Sequence, residues 1–230
     1  MKISIIGTGT VGQTIASKLV QLGYDVMIGT RNVSEKLAIT TKDKYGNPPF
    51  SEWYKVNSKI SLGSFAEAAA FGEIVVNATH GENSLTALKL AGEKPLEGKI
   101  LMDVSNPLDF SKGNIPSLLP EFNNTSSLGE EIQKSFPKTK VVKTLNTVWC
   151  GLMVNPGMIG GGDHLNFVSG NNAGAKEKVK SLLKEFGWNE KNIIDLGDIT
   201  GARATESYLL LWLRLMGVVK SGAFNIRLVS

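Results

Sequence analysis

The chain has 230 residues, and at about 150 residues per domain it holds one large domain or a domain and a half, which excludes two full enzymatic domains. Its hydrophobic content of 42% and charged content of 20%, with glycine and proline spread along the chain, exclude disorder and low-complexity architectures. The net charge is +4, and a single cysteine, Cys150, excludes an internal disulfide and a thiolate cluster for zinc or iron-sulfur ligation, as expected of a reducing, cytoplasmic compartment.

Met1 and Lys2 lead straight into Ile3-Ser4-Ile5-Ile6, an apolar run too short for a signal peptide and without a small-residue cleavage site, so it reads as a first strand. Gly7 to Gly12 break the run, and residues 13–22 then place Ile15, Leu19 and Leu22 at helical spacing. Gly23 stops this helix, and residues 24–28 (YDVMI) supply a second strand, completing a β-α-β unit with parallel strands. The polar stretch 40–58, with Gly46 and the Pro48-Pro49 pair, reads as a loop excursion. Beyond it the alternation resumes with a strand at 59–62, an alanine-rich helix at 65–71, a strand at 74–78, a helix at 85–91 and a strand at 99–104. Ser127-Leu128-Gly129-Glu130 fits a capping box opening a helix that ends near Phe136, and residues 140–145 form the next strand. Strands separated by helices at this cadence imply an open, doubly wound parallel sheet with helices on both faces, and residues 1–148 fit one such nucleotide-binding domain.

Residues 149–230 continue the alternation, with strands at 165–169 and 193–196 around a helix at 176–186, a long helix at 203–219 and a last strand at 224–229. We read them as a smaller C-terminal α/β lobe leaning on the first domain, with the ligand cleft between the two. Lys176, Lys178, Lys180 and Lys184 are interrupted by Glu177 and Glu185, the pattern of a solvated helix face, so no nucleic-acid partner is expected. The apolar stretch 208–219 carries Arg214 and falls short of the roughly 18 apolar residues of a membrane span, so it reads as a buried or dimer-facing helix of a homodimer with no membrane partner.

Gly7-Thr8-Gly9-Thr10-Val11-Gly12 fits G-x-G-x-x-G directly after a strand and directly before a helix. In that context the first glycine permits the tight turn, the second lets backbone amides approach a pyrophosphate, and the third lets the helix pack closely on the strand. The helix N-terminus adds unpaired N–H groups and a positive dipole end. The pattern therefore predicts a dinucleotide-binding Rossmann domain. An NAD-preferring site places Asp or Glu at the end of the second strand, whereas here the segment is Gly29-Thr30-Arg31-Asn32. Nothing there repels a 2′-phosphate, and the Arg31 guanidinium with the Thr8 and Thr30 hydroxyls can bind one, so NADP(H) is the expected cofactor, with Lys36 a further contact.

Asn77-Ala78-Thr79-His80, Ser105-Asn106-Pro107 and Asn146-Thr147 follow later strands, whose carboxyl ends converge where ligands bind in such sheets. Short polar residues at strand ends can hydrogen-bond a ribose or carboxamide and are equally ordinary turn formers. His80 is a candidate donor to a reducible substrate. His164 reads as a loop residue beside Gly160-Gly161-Gly162, a run that could move as a lid, and Cys150 beside Trp149 reads as a small buried hydrophobe. Two histidines without metal-ligand spacing predict no metal. No tyrosine is followed four residues later by lysine, and neither a G-x-x-x-x-G-K-[ST] phosphate loop nor a G-x-S-x-G elbow occurs. The shortage of acid-base groups suits hydride transfer between two stacked conjugated rings better than ketone reduction, which needs a proton donor.

Taken together, Gly7 to Gly12, Gly29-Thr30-Arg31, Asp103-Val104-Ser105-Asn106-Pro107, Gly170-Asn171-Asn172, Asp195-Leu196-Gly197 and Ala202-Arg203-Ala204-Thr205-Glu206 resemble the coenzyme F420-dependent NADP oxidoreductase family, whose nucleotide domain is related to that of membrane ferric reductases. The resemblance implies an NADP-binding Rossmann lobe, a small C-terminal lobe, a dimer, and hydride exchange between NADPH and the deazaflavin F420 or a flavin-like small-molecule acceptor. Carried over by position, Thr8, Thr30 and Arg31 look like the family's 2′-phosphate contacts, while Asn106, Asn146, Thr147 and Phe224 border the acceptor pocket, with Asn146 a catalytic candidate beside His80. Thr79-His80-Gly81 stands where archaeal members have an Ile-Pro-Trp-like segment, and Asn146 replaces a histidine, so the chain departs from the pattern on the acceptor side. Arg203 and Glu206, three residues apart, are expected to pair along their helix. A non-catalytic NADPH-binding sensor and a short relative of hydroxyacid dehydrogenases or imine reductases stay open as alternatives.

Overall fold

The computed structural model describes residues 1–229 other than 44, 45, 112, 114 and 115. Among them the first half of the chain runs β1 (Lys2–Ile6), α1 (Thr10–Gln21), β2 (Asp25–Thr30), α2 (Val33–Ala38), α3 (Phe50–Val56), β3 (Ser61–Ser64), α4 (Phe65–Phe71), β4 (Ile74–Asn77), α5 (Gly81–Ala91), α6 (Glu93–Leu96) and β5 (Ile100–Asp103). It continues with β6 (Leu108–Asp109), β7 (Ser117–Leu118), α7 (Leu128–Ser135), β8 (Lys140–Thr144), α8 (Cys150–Val154), β9 (Asn166–Ser169), α9 (Ala173–Phe186), β10 (Ile193–Asp195) and α10 (Ala202–Val219).

Eight strands form one sheet in the order β10-β9-β8-β5-β4-β1-β2-β3, and β6 and β7 form a separate small antiparallel pair. The chain winds outward from β1 to β2 and β3, then returns to the other side of β1 for β4, β5 and β8, so the switch point lies between β1 and β4. Side chains alternate between two cores across the sheet. Ile3, Ile5, Ile74, Val76, Met102 and Val142 pack with Ile15 and Leu19 of α1 and with Val179, Leu182 and Leu183 of α9. Ile6, Val75, Leu101 and Val141 face the opposite core with Ala68 and Ala69 of α4, Leu88 of α5 and Ile132 of α7. Central strands buried on both faces read as unbroken apolar runs, which is why these segments were recognisable as strands.

The structure corrects the expected organisation in several places. Beyond residue 148, β9 and β10 add to the same sheet instead of building a lobe of their own, and β9 pairs antiparallel with β8, so the sheet is mostly but not wholly parallel. Pairing with β9 satisfies the backbone groups that the edge of β8 would otherwise expose. Residues 224–229 form no strand: the tail is tied by the Leu165 amide donating to the Ile226 carbonyl (3.0 Å) and by Asn225 Nδ2 donating to the Leu165 carbonyl (2.7 Å). The polar excursion contains α3, whose Phe50 stacks on Tyr54 at 5.7 Å and approaches Trp53 at 5.5 Å. Positions 44 and 45 of that excursion lie outside the described residues.

Helix ends follow local chemistry. The complete capping box is at Ser64 and Glu67, opening α4, where the Ser64 hydroxyl accepts from the Glu67 amide and the Glu67 carboxylate accepts from the Ser64 amide. At α7 only half of the expected box forms: Ser127 Oγ accepts from the Glu130 amide at 3.1 Å, while the Glu130 carboxylate is engaged by Arg203. His164 is a loop residue but a buried one, with Nε2 2.8 Å from the Pro156 carbonyl and its ring edge-on to Trp188. Cys150 is half-buried and packs on the α1 side of the core, and burial pushes its thiol pKa up, as suits a small hydrophobe.

Candidate active site

The carboxyl ends of β2, β1, β4 and β5 open into a cleft of about 600 Å³ at the switch point. Every residue lining it lies between Gly7 and Phe110, so the cleft does not lie at a junction with residues 149–230.

Its β1 side is a backbone cradle. Gly7 adopts φ 123°, and a Cβ there would press on the Ala78 carbonyl oxygen at 2.5 Å; one at Gly12 would collide with the Gly7 carbonyl, so both are required to be glycine by close packing. At Gly9 a Cβ would meet nothing within 4 Å, which is the open face an incoming phosphate needs. Gly9 is also the N-cap of α1 and offers no side-chain hydrogen bond, and the first turn of α1 contains no acidic residue. The amides of the first turn are therefore free to meet an anion. Gln13 Nε2 donates to the Thr8 carbonyl at 2.8 Å and holds the turn in this shape. This cradle fits a dinucleotide pyrophosphate.

At the β2 side Arg31 is exposed and lines the cleft together with Lys36, and no ion pair ties Arg31 to any described carboxylate. The Lys36 ammonium lies 5.7 Å over the Phe50 ring of α3. Asp43 and Asn47 of the excursion complete this end, with the Asp43 carboxylate accepting from the Asn47 amide (2.9 Å) and from Asn47 Nδ2 (2.8 Å). Thr30 is the exception among the expected phosphate contacts: it is buried and does not line the cleft, because the last residue of β2 alternates inward.

The β4 and β5 side carries Ala78, Thr79, His80, Val104, Ser105 and Asn106, with Leu108 and Phe110 from the β6–β7 segment at the rim. His80 is exposed and caps α5 through its backbone. Asn77, expected to reach a ligand, is fully buried, and its Nδ2 donates instead to Asp103 Oδ1 at 2.9 Å and, more weakly, to Ser84 and Ser105. Asn106 and Asn146 are joined reciprocally: Asn106 Nδ2 donates to the Asn146 carbonyl (2.8 Å) and Asn146 Nδ2 to Asn106 Oδ1 (2.9 Å). Asn146 and Thr147 are buried behind this pair, and Phe224 stacks on Trp212 of α10 at 5.2 Å, so Asn106 lines the cleft and these three do not. Sequence reasoning missed Asp43, Asn47, Leu108 and Phe110, which lie in segments without periodic signal, and Glu82 and Asn83 in the first turn of α5.

Beneath this side lies a buried ionic cluster. Lys143 Nζ donates to Asp103 Oδ2 (2.9 Å), to the Ser105 carbonyl (2.7 Å) and to Glu206 Oε1 (2.7 Å). Burial pulls the lysine pKa down, yet the two carboxylates outweigh it and hold Lys143 above its ordinary range. Burial pushes Glu206 up against the opposing pull of Lys143. Glu206 also accepts from the Leu128 and Gly129 amides at the start of α7, and Arg203 binds Glu130 there through two bonds of 2.8 and 2.5 Å. The expected Arg203–Glu206 pair is thus replaced by two links from α10 to α7.

No helix among the described residues is long and apolar enough to cross a membrane, and no described group of three or more His, Cys, Asp or Glu side chains is arranged to hold a metal ion.

Comparison with known proteins agrees with this geometry. Residues 2–107 match the family model for NADP oxidoreductase, coenzyme F420-dependent. The solved structure of a candidate F420-dependent NADP-reductase from Arthrobacter sp. FB24 is 50% identical, with a TM-score of 0.93 and full coverage of both chains. The metalloreductase STEAP3 of Rattus norvegicus is 26% identical over 90% of this chain, which spans only 36% of that longer relative. An imine reductase from Myxococcus stipitatus, solved with NADP+, shares the fold at 16% identity and a TM-score of 0.64, over 96% of this chain and 64% of its own. The protein is a member of the F420-dependent NADP oxidoreductase family and is built on the Rossmann fold.

Proposed function

We propose that the protein transfers hydride between NADPH and a planar conjugated acceptor, F420 or a flavin. The observation that supports this most is the polarity of the cleft: an open glycine cradle and two cations at one end, an apolar rim of Val104, Leu108 and Phe110 at the other. The cradle amides and the α1 N-terminus would hold the pyrophosphate, and Arg31 with Lys36 the 2′-phosphate. Val11, Ala78 and Val104 would exclude water from the ring end. Bound there, NADPH supplies the hydride. Among the described lining residues that end offers one imidazole, His80, and one exposed carboxylate, Glu82, but no lysine or tyrosine, a lining that suits an acceptor whose own ring system stabilises the added electrons.

The test is a panel in which the purified protein and NADPH are mixed separately with F420, FMN and FAD while NADPH absorbance is followed. Turnover with at least one of them is expected. Tight NADPH binding with no turnover across the panel would overturn the catalytic reading in favour of a non-catalytic NADPH sensor.

A further inference from the structure

Alternation across the sheet turns Val75, Leu101 and Val141 into the core shared with α5 and α7. One step nearer the cleft, the same face of the same strands carries Asn77, Asp103 and Lys143, neighbours in register across β4, β5 and β8. Asn77 and Asp103 are 0% exposed, Lys143 is 1% exposed, and Glu206 from α10, also 1% exposed, joins them. An apolar cluster of the same volume would hold three strands and a helix together at least as well, since two carboxylates and an ammonium must be stripped of water here. The position of the cluster suggests what the charges do instead.

Both arms of the cluster end on the cleft. On one, the Asp103 carboxylate accepts from the Ser105 amide (3.2 Å) and hydroxyl (2.7 Å), while Lys143 holds the Ser105 carbonyl, so Ser105 is clamped at three points. On the other, Asp103 fixes the Asn77 amide, whose Oδ1 accepts from the Thr79 hydroxyl at 2.8 Å. Ser105 and Thr79 both line the cleft. Two residues beyond Lys143, Leu145 is held in the left-handed region at φ 58°, an unfavourable conformation for a branched side chain, and leads into Asn146 and its paired Asn106. With strands about 4.8 Å apart, the step from β2 through β1 and β4 to β5 puts Ser105 roughly 14 Å from the Arg31 end, a distance suited to the opposite half of an extended dinucleotide.

We propose that Asp103, Lys143 and Glu206 form a positioning device for the nicotinamide half of the cofactor, in which Glu206 on the C-terminal helix sets the Ser105 and Thr79 edges of the cleft through Lys143 and Asp103. The proposal rests on the reading that this cleft takes NADPH. It makes α10 a functional part of a site with which it shares no lining residue.

The experiment compares wild type with Glu206→Gln, using NADPH and adenosine 2′,5′-bisphosphate, a probe of the adenosine half alone, in parallel fluorescence-competition titrations. Glu206→Gln should bind the bisphosphate within about twofold of wild type while its NADPH affinity falls about tenfold. Equal losses for both ligands would reveal a merely structural role, and no loss for either would also overturn the proposal. If Glu206→Gln does not fold, Ser105→Ala keeps the ion cluster intact and must reproduce the same split; an unsplit response there rejects the device. Failure of wild type to bind either ligand would instead reject the cleft reading itself.

Discussion

The two ends of the cleft are built in opposite ways. At the β1–β2 end the binding groups are backbone amides and two cations with open valences: Gly9 faces empty space and Arg31 has no described carboxylate partner. At the β4–β5 end the polar groups behind the wall are saturated, with Lys143, Asp103 and Asn77 spending their hydrogen bonds on one another and on Ser105, Glu206, Ser84 and Thr79. The first arrangement waits for an anion to complete it. The second is finished before any ligand arrives, and its contribution is rigidity.

This contrast predicts where substitutions act on stability and where on binding. The largest stability effect belongs to the saturated end. Lys143→Met strands two buried carboxylates and should cost about 3 to 5 kcal/mol in urea denaturation; a loss of under about 1 kcal/mol would mean that the cluster is not an interdependent unit. At the open end the glycines should separate. Gly9→Ala meets no atom, so its melting temperature should match wild type while NADPH affinity drops about tenfold, whereas Gly12→Ala drives a Cβ into the Gly7 carbonyl and should lower both. A Gly9→Ala variant that binds NADPH as wild type does would show that the phosphate does not approach there.

A smaller effect comes from the second α10–α7 link. Hydrogen bonding to Arg203, above all, holds the Glu130 carboxyl below its ordinary range despite partial burial. Its contribution is present above the unfolded carboxylate value of about 4.3 and lost as pH falls through the depressed folded value. Because Arg203 is partly exposed, solvent screens the pair and the gain is small. The stability difference between wild type and Arg203→Ala should therefore be full at neutral pH and shrink as the pH falls below the unfolded carboxylate value; a difference that grows on acidification would contradict the assignment.

The same contrast explains which features were legible in the sequence. The glycine turn, the missing carboxylate after β2 and the Arg31 side chain all fall within one β-α-β unit, where local pattern fixes geometry. Lys143 meets a carboxylate 40 residues away and shares Glu206 with amides 77 and 78 residues from it, contacts that no local pattern encodes. A signal existed: Asp103 and Lys143 interrupt otherwise apolar strand segments, KILMDV and KVVKTL, at matching register positions. Thr30 was misplaced because strand alternation outranks chemical suitability at the last residue of β2. Helix α3 was hidden in a polar stretch, although Phe50, Trp53 and Tyr54 already had the spacing of one helix face. Arg203 and Glu206 could have paired along α10, but each finds a partner on α7 instead.

The central claim is that the cation after β2 selects NADP(H). Fluorescence titration of wild type and Arg31→Ala with NADPH and NADH tests it most directly. The ratio of NADPH to NADH affinity should fall about 10- to 100-fold in the variant, with NADH binding little changed. An unchanged ratio would contradict the account.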